Sequence, residues 1–465
     1  MGAPMTAGYA IATPKTMRMQ RETSMNMNDM VVISVDDHIV EPGNMYDRHL
    51  SPADLADAPK LKVAENGSNY WEYQGRKMPL SGLNAVAGRV PEEYGMEPTS
   101  HGQVRAGTYN TDARIGDMNV NGIAASLNFA SCVAFDGGVF LRSPDRARSL
   151  VHMRAYNDWH IDEWCGAHPG RFIPCGMLPV WDIDAAVTEL KRLAKKGFTA
   201  VCLNDNPTVH GLPSIHNAYW EPLWKALAET DVTICLHIGY GNPAPHASME
   251  SPIEAWISTM PMAISVSAAD WLNLEALERY PLRIALSEGG IGWIPYFMER
   301  VDFTHQQHKA WTGSRFKGTQ PSKVFREHFL TCFIEDDFGL INLDKIGEDI
   351  VAYECDYPHS DSVWPKAPES LWQGVKHLTP AQINKVTHDN AMRFFRFDPF
   401  KHHKREDLTV GALRAAAKAS GVDITPRAYG QKILEDGEAR RPVTSGDIAA
   451  ISARNDASIV RKKVA

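Results

Sequence analysis

The feature that most limits how this chain can fold is a succession of eight short apolar runs. Each is followed by polar or glycine-rich residues and then by helical periodicity. The runs are Met30 to Val35, Gly122 to Phe129, Phe172 to Leu178, Thr199 to Leu203, Val232 to Leu236, Arg283 to Leu286, Phe329 to Ile334 and Ile350 to Tyr353. Between them, Asp182 to Lys196 carries Ile183, Ala186, Val187, Leu190 and Leu193 at amphipathic spacing and stops at Gly197. Trp220 to Glu229 and Pro380 to Phe395 also read as helices, the second with Thr379 as N-cap and Pro380 at its first position. Strand and helix in alternation call for a parallel sheet with right-handed crossovers. Eight such units match an α/β fold of the (β/α)8 TIM-barrel type.

The barrel is expected over residues 30–397, with three departures from the alternating pattern. Residues 1–29 are rich in Met and Thr and read as a flexible arm. Residues 51–117 are long, polar and rich in Gly and Pro, and read as an insertion after the first strand that caps the barrel mouth. Residues 398–465 form a charged C-terminal tail with a helix expected at Val410 to Ala419. Two readings of the tail stand, packing on a partner subunit and partial disorder.

With 44% hydrophobic residues in 465, the chain can bury a large core. A net charge of −8 without a long basic run argues against nucleic-acid binding. No stretch approaches the roughly 20 apolar residues of a membrane span. The seven cysteines form no C-x-x-C pair, and several lie in apolar runs, which points to buried thiols in a reducing cytoplasm.

Catalytic groups of a barrel come from strand ends on one face. The first run is followed by Asp36-Asp37-His38, the fifth by His237, the sixth by Glu288, and the eighth by Asp356. Each has an ordinary explanation: a turn cap at Asp36 or Asp37, a satisfied core histidine at His237, a helix-start acid at Glu288, a turn residue at Asp356. All four at the same end of different strands point instead to a metal site. His305 and His308 share a helix face, and His305 is a further candidate ligand. His359 and Asp361, just beyond Asp356, suit roles that orient ligands or substrate.

Several motifs in order strengthen this reading. They are Val35-Asp36-Asp37-His38-Ile39-Val40-Glu41-Pro42, Tyr156-Asn157-Asp158-Trp159, Pro169-Gly170-Arg171-Phe172, Leu236-His237-Ile238-Gly239, Ser287-Glu288-Gly289-Gly290-Ile291-Gly292-Trp293 and Asp356-Tyr357-Pro358-His359-Ser360-Asp361. Together they resemble the amidohydrolase-related family that includes aminocarboxymuconate semialdehyde decarboxylase. The resemblance implies that His38, His237 and Asp356 bind metal, with residue 36 as the partner of His38. The chain departs from the family pattern twice. Asp36-x-His38 stands where His-x-His or Glu-x-His is usual, and Glu288 replaces a histidine. The candidate ligands become Asp36, His38, His237, Glu288 and Asp356.

Three carboxylates and two imidazoles form a harder, more anionic donor set than a His-rich zinc site. It suits Mn or Fe as well as Zn, and one or two divalent ions. The resemblance implies a hydrolase or decarboxylase acting on a small carboxylate- or acyl-containing substrate, with Asp356, Glu288 and His237 as catalytic groups, in a homo- or hetero-oligomer. Two alternatives remain open: a dinuclear Fe/Mn oxygenase component with Glu288 as bridge, and a non-catalytic metal-binding subunit.

Overall fold

The computed structural model describes residues 25–80, 82–95, 99–430 and 441–450. Eight parallel strands follow the expected order. They are β1 (Ile33–His38), β2 (Ala125–Phe129), β3 (Phe172–Ile173 and Cys175–Met177), β4 (Ala200–Leu203), β5 (Thr233–His237), β6 (Ile284–Ser287), β7 (Phe329–Phe333) and β8 (Val351–Tyr353). Parallel ladders join β1 to β2 and β2 to the first half of β3. They then run from the second half of β3 through to β8. Pro174 divides β3 because it has no N–H for a ladder; its carbonyl still accepts from the Ala200 N–H at 3.2 Å. The ring closes between β1 and the chain leaving β8. There the Asp356 N–H donates to the Asp36 carbonyl at 2.8 Å and the His38 N–H donates to the Tyr357 carbonyl at 2.7 Å.

Small side chains fill the barrel interior. Ala125, Ala200, Ala285 and Ala352 alternate there with Cys175, Cys202, Cys235 and Cys332, and Phe394 and Phe395 belong to the same cluster. All seven cysteines are free and buried. The outward strand residues, such as Ile234, Leu236, Ile284 and Leu286, pack under the helices. The helix Ile183–Lys196 is capped by Asp182 and ends at Gly197, whose φ of 103° is left-handed. The expected helix from Pro380 starts from a capping box between Thr379 and Gln382. It then widens into a π-helical turn at Lys385–Asp389 before resuming at Asn390–Phe394.

The first strand lies three residues later than its apolar run begins, at Ile33 rather than Met30. The early part of the run is apolar for another reason. Val31 bridges to Thr409, and the Val410 N–H donates to the Met30 carbonyl at 2.8 Å, so the helix Val410–Ala419 covers it. The described part of the tail thus packs on its own barrel. Within the insertion, Lys60–Val63, Asn69–Tyr73 and Arg76–Pro79 form an antiparallel meander. Its second turn is Gln74-Gly75, both at positive φ, which matches strand twist in a two-residue hairpin. The last part of the insertion is a helix, Thr111–Val120, which sequence periodicity does not announce. Most of the expected arm, residues 1–24, and tail residues 431–440 and 451–465 lie outside the described residues.

A buried histidine gives the barrel a measurable acid sensitivity. His160 is 1% exposed and stacks between Tyr156 and Phe198, and its Nδ1 has no partner. Burial pushes its pKa down from 6.5 to about 3. Between those values the unfolded chain binds a proton that the folded chain does not. This contribution to stability is therefore complete above the upper value and is lost as pH falls through the window. His160→Phe is expected to flatten the acid limb of a melting-temperature profile relative to the parent protein. Superimposable limbs would assign the acid loss to other groups.

Candidate metal centre and its cavity

Strand geometry sends residues two apart to the same face, so Asp36 and His38 point together while Asp37 points away. Asp37 serves the barrel seam. Its Oδ1 accepts from the Ser34 hydroxyl at 3.0 Å and from the Tyr357 N–H at 3.1 Å. Burial, opposed by Arg114, pushes its pKa up to about 7. His237 is the last residue of β5. Its Nδ1 lies 2.7 Å from the Ile238 carbonyl, which fixes the proton on Nδ1 and turns the Nε2 lone pair toward the cluster. Glu288 and Asp356 follow the ends of β6 and β8 with φ of 59° and 56°. Non-glycine residues seldom occupy this left-handed region, and such backbone strain concentrates at functional sites.

These side chains converge. His38 Nε2 lies 2.9 Å from Asp356 Oδ1 and 3.8 Å from Asp36 Oδ1. His237 Nε2 lies 3.3 Å from Asp36 Oδ2 and 3.5 Å from Glu288 Oε2. His359 Nδ1 lies 2.8 Å from Asp356 Oδ2 and 3.7 Å from Glu288 Oε1. Two groups of donors result. In each of Asp36-His38-His237 and Glu288-Asp356-His359, one donor atom per residue falls within 4.8 Å of the others.

Electrostatics shows what the cluster lacks. Burial and then the Asp356 charge raise Asp36 and Glu288 well above the ordinary carboxylate range. Burial works to raise Asp356 as well, but His359 and His38 outweigh it and hold Asp356 low. Burial lowers His38 to about 4. For His359, burial is outweighed by Asp356 and Glu288, and its pKa rises to about 10. Both oxygens of Asp36 and Nε2 of His237 are buried without a hydrogen-bond partner. Leaving such groups unpaired costs several kcal/mol, and a divalent cation removes that cost. The orphaned atoms and the oxygen-rich donor set therefore fit a divalent metal ion.

The remaining sequence candidates divide. His359, expected to orient others, belongs to the second donor group itself. Asp361 lines the cavity beside it. His305 is not brought to the cluster. It lies on the helix Ile294–Thr312, where its Nδ1 pairs with Ser314 Oγ at 2.8 Å and its ring meets Phe316. No residue of that helix lines the cavity above the cluster, as an additional ligand there would require.

Three supporting residues escaped sequence reasoning. Glu354 is buried beneath the site, where its Oε2 accepts the Glu288 N–H at 3.0 Å; burial raises its pKa to about 8. Glu41 accepts from the Ser131 and Cys132 N–H groups at 2.8 and 2.9 Å and from the Tyr156 hydroxyl at 2.8 Å, anchoring the loop after β2. That loop carries Phe135, whose ring lies 4.2 Å from His237 and 4.9 Å from His38. Only Glu41 left a trace in the sequence, as part of the first-strand motif.

The cluster forms the floor of a cavity of about 600 Å³. Trp71, Met78 and Leu80 from the insertion form one wall, and Trp256, Ile257 and Met260 form another. Ile448 from the tail also lines it.

Comparison with known proteins agrees with this architecture. The Amidohydrolase family model matches residues 145–397, more than half of the chain. The chain belongs to the amidohydrolase family. It is 27% identical over 341 residues to the gamma-resorcylate decarboxylase of Rhizobium sp. (strain MTP-10005), covering 68% of this chain and 94% of the relative. It is 20% identical over 311 residues to the 2-amino-3-carboxymuconate-6-semialdehyde decarboxylase of Dictyostelium discoideum, covering 64% of this chain and 80% of that one. Among solved structures, an amidohydrolase from Mycobacterium avium subsp. paratuberculosis K-10 superimposes with a TM-score of 0.59 at 19% identity, over 78% of this chain and 99% of its own. A 5-carboxyvanillate decarboxylase from Novosphingobium aromaticivorans, solved with bound manganese, does so with a TM-score of 0.54 at 16% identity, over 80% and 99%. These two likenesses concern the fold.

If His237 is a ligand, His237→Ala is expected to abolish divalent-ion binding while the barrel still melts cooperatively. Elemental analysis of protein purified without added metal reads this directly. Metal content equal to that of the parent protein would remove His237 from the ligand set.

Proposed function

We propose that the chain is a divalent-metal-dependent decarboxylase of a small aromatic or unsaturated carboxylic acid. One observation carries this reading: an aromatic and aliphatic cavity ends on a cluster of carboxylates and imidazoles in which both Asp36 oxygens and His237 Nε2 are buried without a partner. Such a shape receives a flat apolar acid and sets its polar end on the cluster. The decarboxylases among the relatives support the reaction class. Manganese in a structural neighbour supports that ion as the first to test. Asp36, His38, His237, Glu288 and Asp356 would hold the metal. When bound, a divalent ion supplies positive charge that orients substrate oxygens and stabilises negative charge developing on the reacting acid.

The chain's own residues do the rest. Phe135 lies between the two histidines and Tyr240, with a ring separation of 4.7 Å to Tyr240, and gives the cavity an aromatic wall beside the cluster. Trp71, Leu80 and Met260 keep water from the reacting carbon. Loss of carbon dioxide breaks one carbon–carbon bond and leaves its electron pair on the ring or chain carbon, which then needs a proton. His359 lines the cavity and would hold a proton at Nδ1 against Asp356 Oδ2, 2.8 Å away, as the proton source. Solvent then restores the proton.

Glu288 approaches both donor groups, at 3.5 Å from His237 Nε2 and 3.7 Å from His359 Nδ1. This position favours a centre of two ions bridged by Glu288 as a second reading. An elemental ratio near two metals per chain supports it, and a stable ratio near one excludes it.

Other features extend the reading. Tyr296, Phe303 and Trp311 are exposed on the helix Ile294–Thr312 and support self-association into an oligomer. Seven free buried cysteines support a reducing compartment such as the cytoplasm. No described helix is long and apolar enough to cross a membrane.

The test is release of carbon dioxide from a panel of hydroxybenzoates, beginning with gamma-resorcylate and 5-carboxyvanillate, in manganese-loaded and chelator-stripped protein. In heavy water each product should carry one deuterium at the former carboxylate position. His359→Asn is expected to lower kcat by about 100-fold or more, the scale of a lost proton donor. Glu288→Gln is expected to lose far more activity than stability. No gas from any acid, with hydrolysis of ester analogues intact, would overturn the proposal in favour of a hydrolase.

A further inference from the structure

One wall of the cavity is completed by a segment that lies beyond the residues the family model matches. Residues 441–450 come after the matched stretch 145–397, yet Ile448 lines the cavity together with Ile253, Trp256, Ile257 and Met260. Backbone pairing brings it there. The Ile253 N–H donates to the Val443 carbonyl at 2.8 Å, the Ser445 N–H to the Ser251 carbonyl at 3.0 Å, and the Gly446 N–H to the Met249 carbonyl at 2.8 Å. Pro252 and Thr444 form an antiparallel bridge between the two stretches. Side chains add a further tie. His246 Nε2 lies 2.7 Å from Ser445 Oγ, and the His246 ring lies 5.7 Å from that of Trp256.

This wall needs outside support. The helix Ile253–Thr259 has no fully buried residue, so little apolar packing of its own fixes it to the barrel. The tail holds the stretch that leads into that helix, and the tail is itself shaped locally. A helical turn begins at Ser445, with Thr444 as its cap. Thr444 Oγ1 accepts from the Asp447 N–H at 3.2 Å, and Asp447 Oδ2 accepts from the Thr444 N–H at 2.8 Å, a reciprocal cap. Helical spacing puts Ser445 and Ile448 on one face, and these two are the buried residues of the segment, with Ile448 only 7% exposed. The same face therefore carries the tie to His246 and the side chain that enters the cavity wall. Glycine permits the close pairing: a Cβ at Gly446 would stand 3.1 Å from the Met249 carbonyl oxygen.

We infer that this C-terminal segment is part of the substrate site, and that Ile448 is a specificity-determining residue that sets how bulky the apolar end of the acid can be. The inference deepens the proposed function and rests on it for the acid whose polar end occupies the cluster. The wall formed by Ile253, Trp256, Ile257, Met260 and Ile448 is apolar, so what it meets is the apolar body of that acid. Shortening Ile448 opens room for ligand carbon, and enlarging it takes room away.

The test measures binding rather than turnover. Benzoate and its 4-methyl, 4-propyl and 4-pentyl derivatives are titrated calorimetrically into manganese-loaded full-length protein. Ile448→Ala is expected to raise the affinity for 4-pentylbenzoate relative to benzoate by about tenfold, the scale of one methylene or more in an apolar pocket. Ile448→Trp should move the same ratio in the opposite direction, which general loosening of the barrel cannot do. Gly446→Val keeps Ile448 but pushes the segment off its seat, and should flatten discrimination along the series. Melting curves of the three variants establish that the barrel is intact. The inference is overturned if neither Ile448 substitution moves the ratio, or if both move it the same way. The two proposals fail distinguishably. Shifted ratios without carbon dioxide release from any acid defeat only the decarboxylase reading. Carbon dioxide release with unmoved ratios defeats only this inference. Binding of none of the four acids by the parent protein overturns this inference together with the reading on which it rests.

Discussion

The seam between β1 and β8 is the constraint on which the site depends. Two backbone hydrogen bonds, Asp356 N–H to the Asp36 carbonyl and His38 N–H to the Tyr357 carbonyl, complete the ring of strands. They also hold Asp36, His38 and Asp356 together in a buried space where the two carboxylates repel each other. Neighbouring polar groups reinforce the joint. The Cys355 N–H donates to Ser34 Oγ at 2.8 Å, and Arg114 donates to the His38 carbonyl. Asp356 reaches this position in a left-handed backbone conformation that its side chain would ordinarily disfavour. The folding energy of the whole barrel, not local preference, keeps these ligand candidates in one place.

Much of this was legible because barrel strands are buried on both sides. Each strand therefore reads as a continuous apolar run, and all eight runs correspond to strands. The residues that matter for chemistry stand where those runs break into polarity, so Asp36, His38, His237, Glu288 and Asp356 could be found one strand at a time. The errors have the same cause. Met30 to Val32 is apolar because the helix Val410–Ala419 covers it, and local pattern cannot separate that burial from strand burial. His305 has the right chemistry on a largely exposed helix, but the direction of that helix is set by long-range packing. Phe135 sits in a loop, where no period marks which side chain turns inward. Glu354 lies beneath the cluster because β8 alternates, yet its pairing with the Glu288 N–H depends on the left-handed turn at Glu288.

The carboxylate content of the donor set governs the charge of the site. Asp36, Glu288 and Asp356 place three carboxylates around the cluster. A single divalent ion would leave one negative charge uncompensated by metal. In a buried site such a charge is relieved most cheaply by a retained proton, and the proposed decarboxylase would keep it at His359 Nδ1, 2.8 Å from Asp356 Oδ2. A second divalent ion would supply the missing positive charge and displace the proton. The number of ions therefore determines whether the cluster can act as an acid. Decarboxylation needs an acid at the carbon that loses its carboxylate, whereas oxidative chemistry at a two-ion centre does not. In this barrel the ion count and the reaction class are one question, posed by three carboxylates gathered in one buried site.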